Sequence, residues 1–294
     1  MKITEVPKEE YIAGSMACAG CGELLATRLT LKVLGKRTVL IVPAGCMSTV
    51  NCYWPQLPFR VPMFVGPFAA TGAILAGTSA GFRARGINDI NVVGLAGDGA
   101  TADIGLASLS QAIVGRRKFI YICLDNEAYM NTGIQWSSTT PYGAITTTTP
   151  LPEIVKGAEQ NKKDLLGIVM AHNISYAATA CPSYPFDFME KIRKAASIDG
   201  PTFIHVLAPC PSGWGFPGNK TIELGRMAVE SGMWYLCEYE NGKLSFTYTP
   251  KKKLPVSDYL KTQARFRRMK PEHIDHLQSM VDKRLENIEA RVRN

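Results

Sequence analysis

The sequence begins without the charged segment and apolar stretch of a secretory signal: Met1–Glu10 is polar throughout. It also lacks a run hydrophobic enough to cross a bilayer. The closest candidate, Phe64–Phe82, approaches the roughly 20 residues required, but it holds four glycines and leads straight into Arg83 and Arg85. We read it as a buried helix packed closely through small residues. Membrane and export classes are thereby set aside, and a cytoplasmic protein is expected. There are no internal repeats. Only four histidines occur, and none has an assignable role; His205, inside an apolar run, reads as a satisfied core residue rather than a ligand.

The 294 residues are 46% hydrophobic, enough for a sizeable core in one large α/β domain with an appended tail. The formal charge is +8, and much of it falls in Lys251–Lys253 and Arg265–Lys270. Such runs read as a solvated face or a contact with an acidic protein, and nucleic acid is not expected, because basicity alone is only an electrostatic footprint. In a reducing compartment the eight cysteines are metal ligands or buried thiols rather than disulfides.

Apolar runs bounded by turn residues mark strands buried on both faces of a mostly parallel sheet with helices on both faces. They are Thr38–Val42, Asn91–Ala96, Phe119–Leu124, Tyr176–Ala180 and Thr202–Leu207. Helices are expected over Glu23–Leu34, Gly105–Val114, Glu153–Asn161, Leu165–Asn173, Phe186–Ile198 and Thr221–Gly232. Asn51–Pro67, rich in proline and aromatics, reads as a loop. The Thr- and Ser-dense stretch Trp136–Pro150 is either a flexible surface loop or a loop covering a ligand. Tyr235–Glu240 and Lys243–Tyr248 suit a hairpin turned by Asn241-Gly242. Ile274, Leu277, Val281, Leu285, Ile288 and Val292 recur at helical spacing, so the tail packs on this chain or on a partner subunit. We place a domain boundary near 225, with 226–294 as a C-terminal extension for subunit contact.

Ligands of open parallel sheets bind beyond the carboxyl ends of the strands. There, Gly97-Asp98-Gly99-Ala100 follows one strand, and Asp125-Asn126-Glu127-Ala128-Tyr129-Met130-Asn131 follows the next. The 26 residues between Gly99 and Asn126 suit one crossover helix and one buried strand. A carboxylate, a carboxamide and a nearby backbone carbonyl match the oxygen ligation of magnesium, whose shell phosphate oxygens usually complete. Cys18 and Cys21 share one turn, and Cys46 lies in another. Cys210, just past a strand end, is favoured as fourth thiol over Cys52, Cys123, Cys181 and Cys237. From spacing, four thiols suit an iron–sulfur cluster and a structural zinc equally, with buried unligated thiols as a third reading.

Taken together, Cys18-Ala-Gly-Cys-Gly-Glu23, Gly45-Cys46, Gly97-Asp98-Gly99, Asp125–Gly133 and Ala208-Pro209-Cys210-Pro211 resemble the beta subunit, the thiamine-diphosphate subunit, of the 2-oxoacid:ferredoxin oxidoreductases, the pyruvate:ferredoxin oxidoreductase family. The resemblance covers most of residues 10 to 225. It implies the diphosphate-binding domain of the thiamine-diphosphate-binding fold. It also implies a 4Fe-4S cluster on Cys18, Cys21, Cys46 and Cys210, and magnesium on Asp98, Asn126 and the Ala128 carbonyl. Cofactor contacts would come from Glu23, Cys46, Gly97, Asp98, Gly99, Ala100, Asn126, Glu127, Ala128, Tyr129, Met130 and Asn131, with Asn131 nearest the reacting carbon as the catalytic residue.

The implied reaction is oxidative decarboxylation of a small 2-oxoacid, pyruvate first, with oxalate or another 2-oxoacid left open by a weaker match over Trp54–Thr71. Electrons would pass to ferredoxin, and in most members the acyl group passes to coenzyme A. The chain is too short to include the pyrimidine-binding domain, and no ferredoxin-type run of cysteines is present. A pyrimidine-binding alpha chain and ferredoxin-like and gamma chains are therefore the expected partners, with activity only in the hetero-oligomer. The alternatives are a non-redox thiamine-dependent decarboxylase subunit, which gives the four thiols no use, and a zinc-stabilised α/β binding module.

Overall fold

The computed structural model describes residues 3–52, 57–149, 158 and 160–293. Its centre is one sheet built from β1 (Thr38–Pro43), β2 (Met63–Gly66), β3 (Asn91–Gly97), β4 (Phe119–Asp125), β5 (Tyr176–Ala180), β6 (Pro201–Leu207), β7 (Leu236–Glu240) and β8 (Lys243–Tyr248). The spatial order is β2-β1-β3-β4-β6-β5-β7-β8. The first six strands run parallel, and the β7–β8 hairpin joins antiparallel at β5. The strand order reverses between β1 and β3, the place where ligands settle in open α/β sheets.

Every residue of β4 and of β6 is buried, as continuous apolar runs demand when helices cover both faces. The helices are α1 (Gly22–Leu34), α2 (Cys46–Thr49), α3 (Thr71–Ala84), α4 (Leu106–Val114), α5 (Leu165–Met170), α6 (Pro185–Ser197), α7 (Pro211–Trp214), α8 (Thr221–Glu230), α9 (Val256–Leu260) and α10 (Pro271–Arg293). Leu31 and Ala26 of α1 and Phe188 and Ile192 of α6 pack on one face; Leu75 of α3, Leu109 of α4 and Val169 of α5 pack on the other. A third core gathers Leu207 and Trp214 with Leu224, Val229, Leu260 and Val281. Through it the amphipathic tail α10 packs on this chain by Leu277 and Val281.

Three expectations are corrected. The loop expected over Asn51–Pro67 contains β2, which pairs with β1. It is an edge strand with Phe64 and Val65 about half exposed, and the prolines around it hid the short run. The buried helix expected from Phe64 begins only at Thr71 and buries just Thr71, Gly72 and Leu75. Of its own glycines only Gly72 is closely packed, with a Cβ there 2.4 Å from the Ser108 carbonyl oxygen; Gly77 on the outer face has nothing within 4 Å. Cys46 starts the short helix α2 rather than lying in an open turn. The helix expected over Glu153–Asn161 falls mostly outside the described residues, as does Trp54.

Gly72→Leu should therefore destabilise the chain by about 1–3 kcal/mol through overpacking against α4. Gly77→Ala should leave stability unchanged or raise it by up to about 1 kcal/mol. Urea denaturation of both checks the pair, and equal effects would contradict the packing described.

Candidate active site

The carboxyl ends of β1, β3, β4 and β6 lie side by side, and each delivers part of one site. Beyond β3, Asp98 precedes a π-helical turn, Gly99–Asp103. Beyond β4 the chain turns at Glu127, whose φ of 68° is the left-handed conformation that a residue with a Cβ adopts only under constraint. Glu23, Gly45, Cys46, Phe68, Gly97–Ala100, Asn126 and Ala128–Thr132 line a cavity of about 190 Å³ between these ends. Every residue expected at the cofactor is thus on this cavity wall except Glu127, which lies behind it. Gly99 is required by contact: a Cβ there would be 2.2 Å from the Tyr129 ring. Tyr129 in turn donates its hydroxyl to Asp103 Oδ2 at 3.0 Å. Asn131 is exposed at the cavity mouth.

Asp98 is 2% exposed and receives the Ser137 hydroxyl at 2.5 Å on Oδ2. The Thr139 hydroxyl lies 2.7 Å from the same oxygen and 2.9 Å from Asp125 Oδ1, so its one proton is shared between two carboxylates. Burial, with the neighbouring Asp125 charge, raises the Asp98 pKa well above the carboxylate range. The Asn126 amide nitrogen donates to Glu23 Oε1. Its Oδ1 is buried with no hydrogen-bond partner among the described residues. Burial raises the Glu23 pKa to about 8, against the Asn126 hydrogen bond.

Behind this wall lies a charged layer. Lys162 Nζ is 2.9 Å from Asp125 Oδ2 and 2.7 Å from Glu127 Oε1. His205 Nε2 is 2.8 Å from Asp125 Oδ2, so His205 is a core residue with a partner, as its strand position suggested. Burial alone would raise the Asp125 pKa, but Lys162 and His205 hold it below the carboxylate range. Arg265 Nη2 is 2.6 Å from Glu127 Oε2, an ion pair without hydrogen-bond alignment. The same guanidinium lies 3.9 Å from the centre of the Trp214 ring, and Trp214 Nε1 donates to the Asn126 carbonyl at 2.8 Å.

The thiols are drawn together by backbone contacts. Gly22 N donates to the Pro209 carbonyl at 3.1 Å, and the Thr221 hydroxyl to the Gly20 carbonyl at 2.6 Å. Gly20, with φ of 79°, has no room for a Cβ against the Gly218 carbonyl. The Cys18–Cys21 loop is thus pinned to the segment that carries Cys210. Ser212 Oγ lies 3.5 Å from Cys18 Sγ, and Cys46 Sγ lies 4.0 Å from the Asn126 amide nitrogen. Burial raises the thiol pKa of Cys21 to about 12 and of Cys210 to about 11, and that of Cys46 further, with the other three thiols adding to it. Among the described residues, no three His, Cys, Asp or Glu side chains are close enough to grip a single metal ion. Cys123 and Cys237 are buried within β4 and β7, and Cys181 is buried just past the carboxyl end of β5, in the third core.

Residues 43–206 match the family described as thiamine pyrophosphate enzyme, C-terminal TPP binding domain. The chain is 48% identical to pyruvate synthase subunit PorB of Methanothermobacter marburgensis over 95% of this chain and 97% of that one. This chain belongs to the beta-subunit family of 2-oxoacid:ferredoxin oxidoreductases. A second relative in the family, ketoisovalerate oxidoreductase subunit VorB of Pyrococcus horikoshii, is 46% identical, with 93% of this chain and 90% of that one covered. Among solved structures, a 2-oxoglutarate:ferredoxin oxidoreductase from Magnetococcus marinus shares the fold, with a TM-score of 0.58 at 22% identity over 77% of this chain and 80% of that one. The family accounts for the mostly parallel sheet and for thiamine diphosphate binding by this domain. Among the described residues, no helix is long and apolar enough to cross a membrane.

Four residues beside the site were not foreseen: Ser137, Thr139, Lys162 and Arg265. Ser137, Thr139 and Thr140 are buried, so the start of the Thr-rich loop is neither a flexible surface segment nor a cover; it buttresses Asp98 from behind. Arg265 is buried as well, unlike the exposed Arg267, Arg268 and Lys270 around it. The expectation of a solvated basic face is corrected at that residue. Thr139→Val removes the one hydroxyl between two buried carboxylates and should destabilise the chain by about 1–3 kcal/mol. An unchanged urea midpoint would contradict the shared hydrogen bond.

Proposed function

We propose that this chain is the thiamine-diphosphate- and cluster-carrying subunit of an enzyme that oxidatively decarboxylates a small 2-oxoacid, pyruvate first, and delivers the electrons to ferredoxin. The observation that carries the reading is the buried, unpartnered Asn126 Oδ1 beside the Asp98 carboxylate, on a cavity wall that also presents the Ala128 turn. An orphaned amide oxygen and a carboxylate are the hard donors that magnesium takes, with diphosphate oxygens completing its shell. Asp98, Asn126 and the Ala128 carbonyl would hold the ion. Gly97–Ala100 and the turn from Asn126 to Asn131 would hold the diphosphate, and Glu23 and Cys46 would close the inner end. Asn131, exposed at the mouth, would touch the substrate.

Thiamine diphosphate held by these residues would supply a carbon nucleophile and an electron sink for decarboxylation of the 2-oxoacid. Cys18, Cys21, Cys46 and Cys210 would ligate one 4Fe-4S cluster. Supporting this is their gathering at one sheet edge, where burial raises the Cys46 thiol pKa and Cys18, Cys21 and Cys210 all lie near enough to push it up further. Cys46 lies on both the cavity wall and the thiol group, so it would hold the cluster next to the cofactor. The relatives' names support pyruvate or a branched 2-oxoacid as substrate, and coenzyme A as acyl acceptor and a cytoplasmic setting follow from the same reading. Partner chains would bring the pyrimidine-binding domain and the onward electron carriers.

In the assembled complex, Asp98→Ala should abolish thiamine diphosphate binding and leave iron content unchanged. Cys210→Ala should lower iron content and alter the paramagnetic spectrum of the reduced protein. Retained cofactor in the first variant, or zinc in place of iron in the anaerobically purified full chain, would overturn the reading.

A further inference from the structure

The charged layer behind the cavity has a task beyond filling space. The main chain at Glu127 takes a left-handed conformation, φ 68°, that costs a residue with a Cβ roughly 1–2 kcal/mol. Such strain persists only where the surroundings over-determine it. Here they do. Asp125 Oδ1 accepts the Glu127 backbone N–H at 2.9 Å, and the Thr140 hydroxyl donates to the Glu127 carbonyl at 2.8 Å. The side chain is then gripped from both sides, by Lys162 at 2.7 Å and Arg265 at 2.6 Å. All three groups are almost fully buried: Glu127 and Arg265 side chains are 4% exposed and Lys162 is 11%. Arg265 also stacks on Trp214, which holds the Asn126 carbonyl.

We propose that Lys162 and Arg265 are positioning residues: their paired grip on Glu127 locks the left-handed turn that sets Asn126, with its unpartnered Oδ1, and Ala128 on the cavity wall as a preformed cation site. The inference rests on the ligand assignment of the proposed function and goes beyond it, since neither residue touches the cavity. It also gives the C-terminal segment a part in the site, because Arg265 arrives from beyond the last strand.

The test is calorimetric titration of thiamine diphosphate, with magnesium, into the assembled complex carrying Lys162→Met, Arg265→Met, Glu127→Ala or Glu127→Gly. The first two should weaken binding by about tenfold or more, with iron content and subunit assembly as in the unaltered complex. The Glu127 pair separates turn geometry from general stability. Both changes remove the ion pairs, but glycine accepts the left-handed φ freely, so Glu127→Gly should bind about 5- to 30-fold tighter than Glu127→Ala. Unaltered affinity in Lys162→Met and Arg265→Met, or equal affinities for the Glu127 pair, would overturn the proposal. Asp98→Ala run alongside distinguishes the two failures: affinity kept there contradicts the ligand assignment, whereas affinity kept in the Lys162 and Arg265 variants contradicts the clamp.

Discussion

Four carboxylates are buried at the ends of α1, β3 and β4: Glu23, Asp98, Asp125 and Glu127, none more than 4% exposed. Like charges withdrawn from water at neighbouring strand ends repel strongly unless each is paired or protonated. The protein resolves this unevenly. Asp125 has Lys162 and His205, and Glu127 has Lys162 and Arg265. Asp98 is met by hydroxyls alone, with no cation partner among the described residues. Glu23 is met only by the Asn126 amide; on the proposed function a divalent cation would be the partner of Asp98, and the unpartnered Asn126 oxygen belongs to the same cavity wall.

The sheet makes the juxtaposition. Because β1, β3, β4 and β6 are neighbours and parallel, their carboxyl ends present Cys46, Asp98, Asn126 and Cys210 along one edge, although these residues are spread over more than half the chain. Glycines at 20, 22 and 99 then allow main chain to approach main chain or ring at distances that a Cβ would forbid. Close approach of this kind draws the Cys18–Cys21 loop against the Cys210 segment and lays the Tyr129 ring against Gly99.

Much of this was legible in the sequence, for physical reasons that differ between elements. Fully buried parallel strands leave continuous apolar runs, so β3, β4 and β6 were found together with the loops at their ends. Cys210 was chosen over the other cysteines by that placement, although the ligand role itself remains part of the proposed function. The edge strand β2 was missed because Phe64 and Val65 face outward and prolines surround them. The sequence of α3 reads as more buried than the helix is, since small apolar residues do not reveal which side they face. Lys162 and Arg265 were unreadable for another reason. Each pairs with Glu127 only through the tertiary fold, and within the sequence Arg265 is one basic residue in a basic run.

On the proposed function, the Asp98–Asn126 cavity is a cation-dependent diphosphate site. The most direct measurement is equilibrium binding of thiamine diphosphate to the assembled complex, with magnesium present and after its removal by chelation. The structure predicts one cofactor bound per chain with magnesium and a loss of binding without it. Equally tight binding in both conditions would contradict the claim.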